Sequence, residues 1–153
     1  MHTYSAMLFA TDIVKIEDSY PSFLPKENSD YPIFGEPVFS PISGTVVKVE
    51  NNIPDNRPYC GNYPYNTGNT IVIRQNDIYC LLGHLKFNSI KVQIGEEISD
   101  NQMVGLAGNS GMTERPHIHM QLIKSSSENI WSGIGVYMVF KEANLYKNKI
   151  IQN

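Results

Sequence analysis

Short apolar runs of about four to eight residues, separated by glycine, proline and asparagine, follow one another along most of the chain. These runs are rich in Val, Ile, Leu and Tyr, and turn signals such as Gly-Asn-Ser-Gly at 108–111 stand between them. The pattern is typical of an all-β protein. The predicted strands are Ala6–Val14, Pro37–Phe39, Gly44–Val49, Thr70–Arg74, Ile78–His84, Ser89–Val92, Met103–Ala107, His117–Ile123 and Gly135–Phe140.

Helical character is weak and confined to Lys141–Lys149. Two long irregular segments, Ile16–Tyr31 and Asn51–Asn69, contain five of the nine prolines, and loops of this length inside a compact domain are often functional. The chain has no internal repeat, no low-complexity tract and no sign of a second domain. We therefore predict one domain spanning residues 1–153.

Composition and charge narrow the range of partners. Of 153 residues, 41% are hydrophobic and 18% are charged, which is an ordinary balance for a globular protein. The net charge is −3 and there is no run of Lys or Arg, which argues against nucleic acid or an anionic membrane as the main partner. No apolar run approaches the roughly 20 residues of a membrane-spanning helix, and the first residues do not resemble a signal peptide.

Cys60 and Cys80 are the only cysteines, which is too few for a disulfide scaffold, and their spacing does not fit a structural zinc site. One disulfide or two free thiols are both compatible with the sequence.

The segment Glu114–Leu122, which reads ERPHIHMQL, holds two of the four histidines. If it is a strand, His117 and His119 face one side and Ile118 and Met120 the other, with the imidazoles about 6–7 Å apart. The two imidazoles can then serve one site. The alternative is a pair of polar residues on the solvent-facing side of an edge strand.

Two other polar residues interrupt or end apolar runs. Asp12 lies within SAMLFATDIV, and buried carboxylates are usually paired or bound to a metal, although Asp12 could instead close the strand and cap a turn. His84 ends an apolar run after a glycine, where a lone histidine is more often structural than catalytic.

The stretch Gly68–Leu122 resembles a lysostaphin-type zinc metalloendopeptidase domain. The similar features are a Gly-Asn strand start, a His-Leu pair, a Val-x-x-Gly-x-x-Ile segment, a Gly-Asn-Ser-Gly turn and Pro-His-x-His. The segment Gly35–Val49 resembles the preceding strand pair of that family. The likeness covers about ninety residues in the same order.

The resemblance implies a fold, a metal and a set of roles. It implies an antiparallel all-β sheet or sandwich with an open groove, of the duplicated-hybrid-motif kind, walled by long loops. It implies that His119 and Asp12 bind one zinc ion per chain and that His84 and His117 are catalytic. His2 is the only upstream histidine available as the third zinc ligand, ten residues before Asp12.

Elementary zinc chemistry is compatible with these roles. A catalytic zinc takes three protein ligands, keeps one position for water, and lowers the pKa of that water to about 7. A base must receive the water's proton. A second group must donate a hydrogen bond to the oxyanion or a proton to the leaving amine. His117, one strand repeat from His119, is placed to contact the water rather than the metal.

The resemblance also implies a substrate and a location. We expect an endopeptidase that cuts stem peptides or cross-bridges of bacterial peptidoglycan, in a secreted, periplasmic or envelope-associated protein. The tyrosine-rich loop Arg57–Asn66 is a candidate wall of the substrate groove through Tyr63 and Tyr65. Alternatively, those tyrosines only pack the loop onto the sheet.

Three rival functions belong to other classes. A family-like domain without catalysis would act as an interaction module. A biotinyl or lipoyl carrier would need a modified lysine in a tight turn between methionines, which the chain lacks. A cysteine hydrolase would use Cys80 with His84.

Ser110 lies in a turn rather than a nucleophile elbow, and no His-Glu-x-x-His occurs.

Overall fold

The computed structural model describes residues 5–16, 24–62, 64 and 66–139. These residues form nine short strands and three single-turn 3-10 helices. The 3-10 helices are Ser5–Met7, Asn28–Asp30 and Ile130–Ser132. The strands are β1 Thr11–Ile13, β2 Pro37–Phe39, β3 Gly44–Glu50, β4 Asn69–Gln75, β5 Ile78–Leu85, β6 Glu97–Ile98, β7 Met103–Leu106, β8 Ile118–Lys124 and β9 Ile134–Val136.

Seven strands make one antiparallel sheet, in the order β1, β8, β5, β4, β3 and β6, with β9 also paired to β8. Strand β1 pairs with residues 118–120 of β8, and β9 pairs with residues 122–124, so together they cover one edge of β8. Strand β5 covers its other edge. Strands β2 and β7 form a separate two-stranded antiparallel sheet.

Both faces of the central strands are covered, which explains why residues 71–73 of β4 and 78–82 of β5 are consecutive apolar residues. On one face, Ile71, Leu82 and Met120 are cross-strand neighbours and pack with Val38 and Val104 of the small sheet. On the other face, a smaller apolar cluster covers only part of the sheet. Its members are Ala6, Val72, Tyr79, Leu81, Ile123 and Ile130.

The predicted all-β class with an antiparallel sheet is confirmed. Six of the nine predicted strands lie within about two residues of observed ones, and a seventh, Gly135–Phe140, overlaps β9, which ends earlier at Val136. Of the remaining two, Ala6–Val14 is too long and Ser89–Val92 is wrong. Residues 6–14 contain a 3-10 helix and a strand of three residues, because Phe9 has a φ of +66° that interrupts extended backbone.

Residues 89–92 form no strand because their N–H groups bond to scattered partners, Ile90 to the Asn51 side chain and Lys91 to the Val104 carbonyl. Strand β6 was not predicted, and the helical tendency at 141–149 lies outside the described residues.

No helix among the described residues is both long and apolar enough to cross a membrane.

Both cysteines are free thiols, with Cys60 exposed and Cys80 buried in the core. Burial raises the pKa of the Cys80 thiol to about 12. A thiol in that environment is inert toward electrophiles, which removes the physical basis for a nucleophilic Cys80.

Native and denatured protein will therefore differ in thiol labelling. We expect iodoacetamide to modify Cys60 alone in the folded chain, and both cysteines in denaturant, as counted by mass spectrometry of the intact protein and its peptides. A Cys60→Ser variant is the control, since its folded form should remain unlabelled. Rapid labelling of Cys80 in folded protein would contradict this packing of β5 against the core.

Candidate active site

Strand β8 divides its side chains between the core and an open cavity. Ile118 and Met120 are each 4% exposed and belong to the main core, whereas His117, His119 and Gln121 line the cavity on the opposite face. The alternation predicted for the two histidines is confirmed. The histidines therefore do not lie on a plain solvent-facing strand.

Strand β1 brings Asp12 beside His119, since these two residues are direct partners in the antiparallel pairing. Oδ1 of Asp12 lies 3.0 Å from Nδ1 of His119 and 3.6 Å from Nε2 of His117. Asp12 thus lies within a strand and faces the histidine pair instead of capping a turn.

His84 reaches the same cavity from the end of β5, with its ring centroid 4.7 Å from that of His117 and 5.9 Å from that of His119. Its backbone is left-handed, with a φ of +59°, and its N–H donates to the Thr67 carbonyl at 2.7 Å. A left-handed conformation at a residue other than glycine stores strain, and such strain concentrates at functional sites.

Backbone carbonyls orient the imidazoles of His84 and His117. Nδ1 of His84 lies 2.8 Å from the Ser110 carbonyl, and Nδ1 of His117 lies 2.8 Å from the Arg115 carbonyl. A carbonyl oxygen only accepts hydrogen bonds, so in both neutral rings Nδ1 carries the proton. The lone pair of each neutral ring is therefore on Nε2, which is the base-like position.

Burial and neighbouring charges set the protonation of the cluster. Burial lowers the pKa of His84 to about 4, and the nearby His117 acts in the same direction. The hydrogen bond with His119 outweighs burial and holds the pKa of Asp12 below its usual range. Burial would lower the pKa of His119, but hydrogen bonds with Asp12 and Gln121 outweigh it and raise that pKa.

Asp12 and His119 supply two donors of the type and separation that a zinc ion needs. Zinc–ligand bonds of about 2.0–2.1 Å in tetrahedral geometry place two donor atoms about 3.3 Å apart, close to the observed 3.0 Å between Oδ1 and Nδ1. Among the residues that the structure describes, no group of three or more His, Cys, Asp or Glu side chains could hold a metal ion.

The cavity around these residues has a volume of about 1040 Å³ and opens to solvent. Its walls combine aromatic, apolar and charged side chains beyond the histidines, a mixture suited to a peptide. They include Lys15, Tyr31, Met112, Arg115 and Trp131.

The structure brings together Asp12, His84, His117 and His119, four of the seven residues predicted for the site. The other three, His2, Tyr63 and Tyr65, lie outside the described residues. Their roles remain predictions.

Two polar residues of the site were missed. Gln121 contacts His119 at 3.1 Å, and the Thr113 hydroxyl lies 3.2 Å from Nδ1 of His117 and donates to the Arg115 carbonyl at 2.8 Å. Strand periodicity places Gln121 on the histidine face and could have identified it. No sequence signal identifies Thr113.

Comparison with known proteins adds a family assignment. The family model described as Peptidase family M23 matches residues 29–130, which include all three cavity histidines but not Asp12. The chain is 33% identical over 100 residues to peptidoglycan DD-endopeptidase ShyA of Vibrio cholerae serotype O1, covering 65% of this chain and 20% of that relative. It is 31% identical over 102 residues to ShyB of the same organism, covering 65% and 21%. The match spans about a fifth of the length of these relatives.

Solved structures share the fold. A mutant catalytic domain of the prophage-encoded M23 protein EnpA from Enterococcus faecalis superimposes with a TM-score of 0.53 at 21% identity, covering 83% of this chain and 85% of that one. Lysostaphin from Staphylococcus simulans superimposes with a TM-score of 0.50 at 24% identity, covering 67% and 38%. The expected lysostaphin-like architecture is confirmed, and because the family model matches about two thirds of the sequence, this chain belongs to peptidase family M23.

Proposed function

We propose that this chain is a zinc-dependent endopeptidase that hydrolyses peptide bonds in the stem peptides or cross-bridges of bacterial peptidoglycan. The observation that carries the proposal is the convergence of Asp12, His84, His117 and His119 on one cavity, with Oδ1 of Asp12 3.0 Å from Nδ1 of His119. The relatives ShyA and ShyB are peptidoglycan DD-endopeptidases, which supports the choice of substrate. The protein would then act at the cell envelope or outside the cell, and residues 1–153 would form one domain.

Asp12 and His119 would hold the zinc ion, with His2 as the third protein ligand. When bound, zinc polarises a carbonyl and lowers the pKa of water to about 7.

His117 is the general base of the proposed reaction. Its Nε2 is the free ring nitrogen and lies 3.6 Å from Oδ1 of Asp12, on the side of the metal ligands. From there it accepts the proton that the attacking water loses, and it returns that proton to the amine nitrogen of the leaving group.

His84 orients the same water. Burial keeps its imidazole neutral at neutral pH, so its Nε2 accepts a hydrogen bond from the second proton of the water. The bond between Nδ1 and the Ser110 carbonyl prevents the ring from turning away. Neither histidine needs to bind the metal.

The charged and aromatic walls of the cavity would receive the substrate on either side of the cleaved bond. Asn66, the last residue of the tyrosine-rich loop Arg57–Asn66, and the following Thr67 also line it. We retain Tyr63 and Tyr65 as proposed substrate contacts.

Metal content tests the ligand assignment. We expect about one zinc per wild-type chain purified without chelator, and strong loss in His119→Ala and Asp12→Ala, because two remaining donors make a poor zinc site. Loss in His2→Ala would identify the third ligand. Elemental analysis of the purified proteins provides the measurement, and a metal-free wild type that also fails to take up added zinc would overturn the assignment.

Hydrolysis of purified peptidoglycan tests the catalytic roles. We expect His117→Ala to lower kcat by about 10²–10⁴-fold, the usual contribution of general base catalysis, while zinc content stays at the wild-type level. His84→Asn should also lower kcat while remaining folded, because asparagine tolerates the left-handed backbone at this position.

The readout for both variants is release of peptide fragments, analysed by mass spectrometry beside the wild type. Zinc-loaded wild type that binds peptidoglycan without cutting it would instead favour the alternative of a non-catalytic interaction module.

A further inference from the structure

Gln121 is a completely buried side chain on the site face of β8, with 0% exposure, and the proposed reaction does not use it directly. Both ends of its amide are engaged. Nε2 donates to the carbonyl of Ala6, and Oε1 lies 3.1 Å from Nε2 of His119. A buried amide with two specific partners is well placed to orient one of them.

The Ala6 carbonyl determines the orientation of the Gln121 side-chain amide. A carbonyl oxygen can only accept, so the NH2 end of Gln121 must face Ala6 and the oxygen end must face His119. An amide oxygen is itself only an acceptor. Nε2 of His119 must therefore carry a hydrogen and donate it to Gln121.

The consequence appears at the other nitrogen of the ring. In neutral His119 with a protonated Nε2, the lone pair is on Nδ1, which faces Oδ1 of Asp12 at 3.0 Å. Two acceptor atoms at that distance repel each other unless a proton or a cation lies between them. Gln121 thus leaves His119 with the tautomer that offers its lone pair beside the carboxylate.

The amide also joins the two segments that carry these donors. Ala6 lies in the 3-10 helix Ser5–Met7, six residues before Asp12, and is itself fully buried. The hydroxyl of Ser5 donates to the Gly133 carbonyl at 3.0 Å, which fastens the same helix to the segment before β9. Residues 5–13 lie before the stretch matched by the family model, so the contact with Gln121 attaches them to the matched domain.

We propose that Gln121 is a positioning residue for the metal ligands: it fixes the tautomer of His119 and holds the segment that carries Asp12 against β8. The inference rests on the proposed zinc function. Partners that orient metal-bound histidines in this way typically change metal affinity by about 10–100-fold when they are removed.

The test compares Gln121→Met, which has a similar shape but cannot accept from His119, with Gln121→Glu, whose carboxylate still accepts. Gln75→Met, at an exposed position on β4, is the matched control. Two quantities are measured for each protein. One is zinc affinity by competition with a chromophoric chelator, and the other is the protonated nitrogen of His119 by imidazole nitrogen NMR of metal-free protein, at a pH above the pKa of His119.

We expect wild type and Gln75→Met to show a hydrogen on Nε2 of His119 and to bind zinc with similar affinity. Gln121→Glu should keep the hydrogen on Nε2 but bind zinc more weakly, because its carboxylate accepts from His119 yet cannot donate to the Ala6 carbonyl. Gln121→Met should shift the hydrogen to Nδ1 in part of the molecules and lose about 10–100-fold in zinc affinity. A folded Gln121→Met with wild-type affinity and tautomer would overturn the proposal, and so would a wild type with the hydrogen on Nδ1.

If Gln121→Met does not fold, the wild-type and Gln121→Glu spectra still decide the tautomer. A wild type that binds no zinc would refute the proposed metal chemistry, while the same spectra would separately support or refute the positioning role of Gln121.

Discussion

The pairing of β1 with β8 is the interaction on which the candidate site depends. It places Asp12 directly opposite His119, although 107 positions separate the two residues in the chain. The same strand β8 anchors the core through Ile118 and Met120. Because side chains alternate along a strand, tight packing on the core side fixes the direction of the histidines on the other side. Strand β8 thus contributes both to the stability of the core and to the geometry of the site.

The loops around the site are held by buried polar contacts rather than by apolar packing. Ser110 accepts from His84 through its carbonyl, and its hydroxyl donates to the Leu85 carbonyl at 2.7 Å and accepts from the Asn69 N–H at 2.9 Å. Gly68 must pass so close to Ser110 that a Cβ at that position would lie 2.1 Å from the Ser110 carbonyl oxygen. Among the described residues, no buried side-chain nitrogen or oxygen lacks a hydrogen-bond partner. A loop whose buried polar atoms all have hydrogen-bond partners can hold the backbone of His84 in its strained, left-handed conformation.

Much of this architecture could be predicted because it follows from local sequence patterns, namely alternation of polar and apolar residues and short apolar runs. Alternation along β8 identified the face of His117 and His119, and apolar runs identified the strands β4 and β5. Long-range contacts could not be predicted in the same way. The bond between Gln121 and Ala6 joins residues 115 positions apart, and nothing at either position signals the other. The short β1 was overestimated because SAMLFATDIV reads as extended, whereas the left-handed Phe9 and local turns make its first part compact.

Direct location of the metal tests the central claim, that Asp12 and His119 form the floor of a zinc site. Crystals of zinc-loaded protein, measured on both sides of the zinc absorption edge, give the position of the ion from its anomalous signal. The account predicts one ion within about 2.0–2.2 Å of both Oδ1 of Asp12 and Nδ1 of His119. An ion bound through Nε2 of His119, an ion elsewhere in the molecule, or no ion at all after exposure to zinc would contradict it.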